Sequence, residues 1–378
     1  MLRPSLFARR FLSTSSTFTP RNATPETVDK LRQLLGDRLS TATSVREVCH
    51  HGKDESYHSA PPPDAVAFVT STDEVSKVLQ ICSEAKTPVI PFGAGSSLEG
   101  HISAVCGGIS LDLTGLNAIL NVEPENMSCR VQAGVTRLQL ESELRATGLF
   151  FPVDPGADAT LGGMVATNAS GTTTVELRLH GVPELQRLAV CSFPSIQQAV
   201  DTCTAIMQMG IPVARMEFMD EHTMAATNKY SKLHNAELPS LVIELNGTAD
   251  DIENQTSMVE ALTEEYDVQK VEWATSTEDR AELMKARHAA WYATHVGDGN
   301  FHVMLPFVPA DYPQIQAFSD RLIERALAAG GTCTGEHGIG LGKKKYLALE
   351  HGGATTDVMR AIKAALDPHE ILNPGKLF

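Results

Sequence analysis

Pro91-Phe92-Gly93-Ala94-Gly95-Ser96-Ser97-Leu98-Glu99-Gly100 is the stretch on which the fold of this 378-residue chain turns. It follows Pro88 to Pro91, which reads as a buried strand, and packs three glycines and two serines into one short loop. Glycine lets backbone N–H groups approach an anion closely, and a serine hydroxyl donates without adding bulk, so the loop suits an anion cradle at a strand end. Taken alone, such a loop is equally well a plain turn.

Working outward, Ala60-Pro61-Pro62-Pro63 enforces extended chain and marks the entry to a first domain. Ala65 to Thr70 is a short apolar run, Thr72 to Glu74 supplies helix-capping chemistry, and Val75, Val78, Leu79 and Cys82 repeat at helical spacing. Ile109 to Leu113 and Cys129 to Val135 alternate as strands do, and Leu138 to Leu144 returns to helical period. Upstream, Glu26 to Leu35 reads as a helix. A second region starts near Phe193. It has a helix carrying Ile196, Val200 and Cys203 on one face, strands at Ile211 to Arg215 and Leu241 to Leu245, and an acidic helix after Thr248. Such alternation predicts a ferredoxin-like α+β sheet covered on one face. A long helix is expected from Tyr312 to Ala329.

Composition narrows the function. With 42% hydrophobic and 20% charged residues the chain reads as globular. A formal charge of −15 without a clustered basic face excludes a nucleic-acid partner. No apolar run approaches the roughly 18 residues of a membrane span. The seven cysteines are scattered and never form a C-x-x-C pair, so they read as reduced core fillers. The N-terminus, with Arg3, Arg9 and Arg10, many hydroxyl residues and no acid before Glu26, has the composition of a mitochondrial targeting segment.

A second stretch rich in small residues runs from Pro152 to Gly171, DPGADATLGGMVATNASG at its heart. The two loops together are far more specific than either. Here the sequence resembles the FAD-binding family that includes vanillyl-alcohol oxidase and, within it, the D-lactate and D-2-hydroxyglutarate dehydrogenases. PFGAGSSLEGH resembles that family's pyrophosphate loop, the second stretch its other flavin contact, and Asn373-Pro374-Gly375-Lys376-Leu377-Phe378 its closing signature. The resemblance implies an α+β protein with a PCMH-type FAD-binding domain and a ferredoxin-like cap. It implies FAD contacts at Pro91, Gly93, Ala94, Gly95, Ser96, Ser97 and Gly100, at Pro155, Gly156, Thr160, Gly162, Gly163, Asn168, Ser170 and Gly171, and at Asn373.

The strongest chemical constellation is His295-Val296-Gly297-Asp298-Gly299-Asn300-Phe301-His302, whose Asp-Gly pair favours a two-residue hairpin turn. That turn sets His295 opposite His302, where cross-strand Cβ atoms lie about 4.5–5.5 Å apart and two imidazoles reach one cation. Glu336, in Gly335-Glu336-His337-Gly338, completes a His, His, carboxylate set that leaves a coordination position open for chemistry. In the resembling dehydrogenases these positions hold a divalent metal, so Zn or Mn is expected beside FAD. A 2-hydroxy acid would chelate that ion, with His337 as general base for its hydroxyl and Arg287 matching the family's substrate-carboxylate arginine. Lys343, Lys344 and Lys345 read as a solvated face.

The implied activity is oxidation of a D-2-hydroxy acid such as D-lactate. Cytochrome c or an electron-transfer flavoprotein would be the acceptor, and the location mitochondrial, in the matrix or on the inner-membrane surface. D-2-hydroxyglutarate is the alternative substrate, and a shortened chain with impaired FAD binding the non-enzymatic alternative. That last reading arises because the family pattern breaks twice. After Gly171 its long segment closing the flavin domain is missing, and the expected helix from Glu278 to Ala293 runs into His295 without the family's intervening strand. The expected division is a targeting segment over residues 1–24, a flavin domain over 60–183 with its second half truncated, and a substrate domain over 190–378 whose tail returns to the flavin.

Overall fold

In the computed structural model, which describes residues 19–48, 51–58, 61–154, 156–168, 177–232, 234–274, 276, 278–280, 295–296, 301–303, 305 and 307–377, the folded body starts well before the prolines. Helix α1 (Pro25–Leu35) is capped by Thr24, whose hydroxyl accepts from the Thr27 N–H at 3.2 Å. Its Leu31 and Leu35 share one core with Leu39 of β1 (Leu39–Ser40), so the Pro61 entry point is a marker inside the domain rather than its edge. Even Arg21 to Ala23 are stitched in. The Arg21 N–H donates to Cys106 O at 2.8 Å and the Ala23 N–H to Asp64 Oδ2 at 2.7 Å.

The βαβ pattern forms as the apolar runs dictate: β2 (Ala65–Phe68), α2 (Thr72–Glu84) and β3 (Val89–Phe92). The cap of α2 is Ser71, which accepts from the Glu74 N–H, one residue earlier than the expected Thr72 to Glu74. Strand β4 (Ile109–Asp112) lies between β2 and β3, parallel to both. The strand expected at Ile109 to Leu113 is present, and because a strand so placed is covered on both faces all four of its residues are buried. The buried Asp112 carboxylate is accommodated by His51, whose Nε2 is 2.8 Å from Oδ2, and by donation from the Thr114 N–H to Oδ1 at 2.8 Å.

A smaller subassembly follows with its own core of Cys129, Val135, Leu140, Leu144, Val153, Leu161, Met164 and Leu179. It contains β5 (Ile119–Glu123), β6 (Ser128–Val131), α3 (Arg137–Leu144), β7 (Leu149–Phe150) and α4 (Leu161–Thr167). Chain just past the first break is taken up as two short edge strands. Strand β8 (Leu177–Arg178) pairs with β6, and β9 (His180–Gly181) pairs with β7, which leaves Leu179 fully buried between them.

The second unit is Val182–Val308. It opens with β10 (Leu185–Ser192), absent from the sequence expectation, then α5 (Ile196–Gln208), β11 (Val213–Met219), α6 (Glu221–Ser231), β12 (Ser240–Gly247), α7 (Ala249–Glu265) and β13 (Lys270–Trp273). The order β13-β10-β12-β11, antiparallel throughout, is the ferredoxin-like arrangement. Strand β11 runs later than the expected Ile211 to Arg215, because Gly210, at φ 67°, ends the turn after α5 and Pro212 cannot donate to a ladder. Helices α5 and α7 cover one face. The other carries a smaller cluster of Leu188, Val190, Met219, Met224 and Val242. The sheet extends beyond β11 through β14 (His295–Val296) and β15 (Phe301–His302).

The chain from Pro309 onward belongs to the first unit, with Met1–Gly181, and not to the cap expected over 190–378. It forms α8 (Tyr312–Ala328) and α9 (Leu347–Leu366), the latter interrupted at Gly352. Its tail lies along β3: the Val89 N–H donates to Ile371 O at 2.7 Å and the Asn373 N–H to Val89 O at 2.8 Å. The six cysteines among the described residues are buried and free, as expected, and among those residues no helix is long and apolar enough to cross a membrane.

Candidate active site

Strand β3 delivers the glycine loop at its C-terminal end, where parallel sheets present ligand sites. The loop is shaped from behind by Asp54, only 3% exposed, which the sequence reading passed over. Asp54 Oδ2 accepts from Ser97 Oγ at 2.8 Å and the His101 N–H at 3.1 Å, while Oδ1 accepts from Ser56. The Ser97 hydroxyl, expected to donate to a phosphate, is thus committed to Asp54. The one local hint was a short acidic and hydroxyl run, Asp54-Glu55-Ser56, in a stretch otherwise read as loop.

The second small-residue stretch meets the first directly. A Cβ on Gly93 would sit 2.3 Å from Thr160 Oγ1, so only glycine lets the two loops touch. Thr160 itself is buried and leads into α4, whose first residues are pinned by donation from Leu161 N–H to Val135 O at 2.8 Å and from Gly162 N–H to Ala133 O at 2.9 Å. Asn168 closes α4 in the left-handed conformation at φ 57°. Of the other expected contacts, Pro155, Ser170 and Gly171 lie outside the described residues.

The Glu336-His337 loop folds onto both. At Gly338, with φ +70°, a Cβ would lie 2.7 Å from His101 Nε2 and 3.4 Å from Thr167 Cα. Just beyond, the Leu341 N–H donates to Glu99 O at 2.7 Å. The tail joins from the other side: Asn373 Nδ2 donates to His101 O at 2.9 Å and Lys376 Nζ to Ser103 O. Motifs separated by hundreds of residues therefore gather within the first unit. The lysine run is only partly a solvated face: Lys343 is shielded against Glu99 and Lys344 donates to Gly375 O, whereas Lys345, paired with Asp320, is exposed.

Burial dominates the electrostatics. It lowers the pKa of His58 and of His101, opposed by the nearby Asp54 carboxylate, and it brings Lys376 down to about 8. Burial raises Glu99, against the pull of Lys343. Buried atoms at this convergence lack protein partners: His58 Nε2, His101 Nδ1, Thr334 Oγ1 and Asn373 Oδ1. Orphaned polar atoms around a loop junction closed by glycines fit a large ligand with a polar chain, as a flavin dinucleotide has.

In the second unit the expected hairpin register holds. His295 and His302 are Cα partners, and Val296 pairs with Phe218, which faces the α5 and α7 core. Glu217 and Glu244 lie on the sheet face opposite to Phe218. There Glu244 receives Arg280 Nη2 at 2.5 Å and Arg215 Nε at 3.5 Å. Arg287, Asp298, Gly299 and Asn300 lie outside the described residues. Among the described residues no group of three or more His, Cys, Asp or Glu side chains gathers as a metal site.

A glycine-loop domain bearing a histidine loop, with a ferredoxin-like cap in the same chain, defines a two-domain flavin oxidoreductase. Residues 63–180 match the FAD binding domain family, and residues 182–294 and 289–377 match the C-terminal domain of FAD linked oxidases. The chain belongs to the FAD linked oxidases. It is 37% identical to the "Probable D-lactate dehydrogenase, mitochondrial" of Danio rerio, over 96% of this chain and 94% of that protein. It is 31% identical to the "D-lactate dehydrogenase [cytochrome], mitochondrial" of Arabidopsis thaliana, over 93% and 80%. Among solved structures, p-cresol methylhydroxylase aligns with a TM-score of 0.72 at 14% identity over 95% of this chain and 98% of its own. Alkyldihydroxyacetonephosphate synthase aligns at 0.69 and 16% over 94% and 86%. At such identities the structures show the fold alone. The zebrafish alignment spans 468 positions against a chain of 378, so at least 468 − 378 = 90 of them have no residue here. The C-terminal match divides at residues 289–294, where the second break in the family pattern was read.

Proposed function

We propose that this chain oxidises D-lactate, or a closely related D-2-hydroxy acid, to the 2-oxo acid and passes the electrons to cytochrome c or another respiratory acceptor. The observation that carries the reading is the packing of the His337 loop on both flavin loops within one unit, together with relatives named for this activity. When bound, FAD supplies the hydride acceptor that no side chain can provide. Backbone of the Gly93 loop, Thr160 and Asn373 would hold it. His337 takes the hydroxyl proton of the substrate, for which an imidazole is suited near neutrality. Arg287 pairs with the substrate carboxylate through a two-pronged guanidinium contact.

His295, His302 and Glu336 would hold a divalent ion, Zn or Mn, whose contribution is to polarise the substrate hydroxyl. Two neutral imidazoles and a carboxylate suit such an ion, and the backbone pairing of His295 with His302 supports their acting together. We place the protein in mitochondria, in the matrix or on the inner-membrane surface, on the basic N-terminus and the names of the relatives. The test is anaerobic bleaching of the flavin absorbance. D-lactate should reduce the bound flavin and L-lactate should not. Faster reduction by D-2-hydroxyglutarate would move the substrate to the alternative, and purified protein without flavin would sink the enzymatic reading.

A further inference from the structure

The segment after His337 crosses the flavin loop at Glu99, and this crossing is built more tightly than a passing contact. Glu99 O accepts from the Leu341 N–H at 2.7 Å and from the Gly342 N–H at 3.4 Å. The Glu99 carboxylate meets Lys343 Nζ at 3.3 Å, with side-chain exposures of only 15% and 17%. Between the two runs there is no spare volume, since a Cβ on Gly342 would lie 2.0 Å from Glu99 Oε2 and 2.9 Å from His58 Nε2. An ion pair this shielded is not the near-neutral surface kind, because removing one partner strands a buried charge.

We propose that Glu99 and Lys343 are positioning residues that lock the His337 loop onto the flavin loop in the register needed for reaction. The proposal rests on the reading of His337 as the base. One rigid crossing then sets both the cofactor loop and the base, because Leu341 follows His337 by only four positions. A base displaced by about 1 Å loses about 10²-fold in rate, so a modest slip at the crossing is felt in chemistry before it is felt in folding.

The experiment compares wild type, Lys343→Met, Glu99→Gln and the double variant, reading flavin per subunit, the rate of flavin reduction by D-lactate, and KM. Lys343→Met should keep its flavin and its KM while reduction slows by about 10²-fold. The double variant should regain most of the rate, because the neutral amide that Glu99→Gln introduces leaves no buried charge unpaired. Unchanged reduction in Lys343→Met, or a rate that falls only in step with lost flavin, overturns the proposal. Hydrogen exchange at the Leu341 and Gly342 amides is read on the same proteins. If D-lactate fails to reduce even the wild type, the substrate reading falls instead, and exchange decides the crossing: faster in Lys343→Met and slowed again in the double variant upholds it, and equal rates in all four overturn it.

Discussion

The two units hold their candidate site residues by different means. In the first, Gly93, Thr160, Glu99 and the His337 loop are fixed by backbone contacts so close that a single Cβ would break them, and by a buried carboxylate, Asp54, behind the loop. In the second, His295 and His302 owe their alignment to strand register alone, at the far edge of a six-stranded sheet. Close packing resists small changes of volume, whereas an edge hairpin is set by its turn and tolerates them. The proposed base is therefore carried by the more closely packed unit, and the two histidines by a pair of short strands at a sheet edge.

The largest expected effect separates these roles. His337→Ala should slow flavin reduction by about 10²–10⁴-fold with bound metal unchanged, as loss of a general base does. His295→Ala and His302→Ala should instead lower the bound divalent metal found by elemental analysis. Equal metal in wild type and the double histidine variant would remove the metal reading. Next, Gly162→Ala tests how rigid the first unit is, since its new Cβ would meet the Ala133 Cβ at 2.7 Å and O at 2.8 Å. Overpacking of this kind costs about 1–3 kcal/mol, visible as a lower denaturant midpoint together with weaker FAD retention, and a midpoint equal to wild type would show that the loops can part.

Lys376 gives a smaller effect with a defined sign. Burial lowers its pKa in the folded state to about 8 from an ordinary 10.5, so between those values the unfolded chain binds more protons. Stability from this group accordingly rises with pH across that window, its charge being costly to bury below it. Thermal melts of Lys376→Met should lack that rise when compared with wild type, and parallel curves would count against a buried, charged Lys376. The smallest effect belongs to the cap. Thr248 and Asp251 form a reciprocal cap on α7, and Thr248→Ala should cost about 1 kcal/mol without touching flavin content. Loss of flavin in that variant would mean that cofactor retention depends on α7 as well as on the flavin loops.

Much of the secondary structure was legible because its signals are local. The helical repeats of Val75 to Cys82 and of Ile196 to Cys203 became α2 and α5, and His295 pairs with His302 as the sequence led us to expect. Strand β10 and helix α6 escaped. Leu185–Ser192 mixes polar and apolar residues without clean alternation, because its two faces are both partly covered, and α6 carries little amphipathic contrast. The candidate site was legible only as separate motifs: the glycine loop, the second small-residue stretch, the histidine loop and the closing signature.

By itself the sequence determined the glycine-rich loops and the hairpin register, each of which depends on residue types within about twenty positions of one another, and the family, through the joint occurrence of those motifs along the chain. Only the tertiary structure decided that residues 309–378 return to the first unit, that Asp54 shapes the Gly93 loop and that Lys343 is shielded against Glu99. The physical reason is that burial and pairing belong to contacts between distant segments. A lysine in a run of three looks solvated from its neighbours, and its true partner lies 244 positions away, a separation that no local periodicity records.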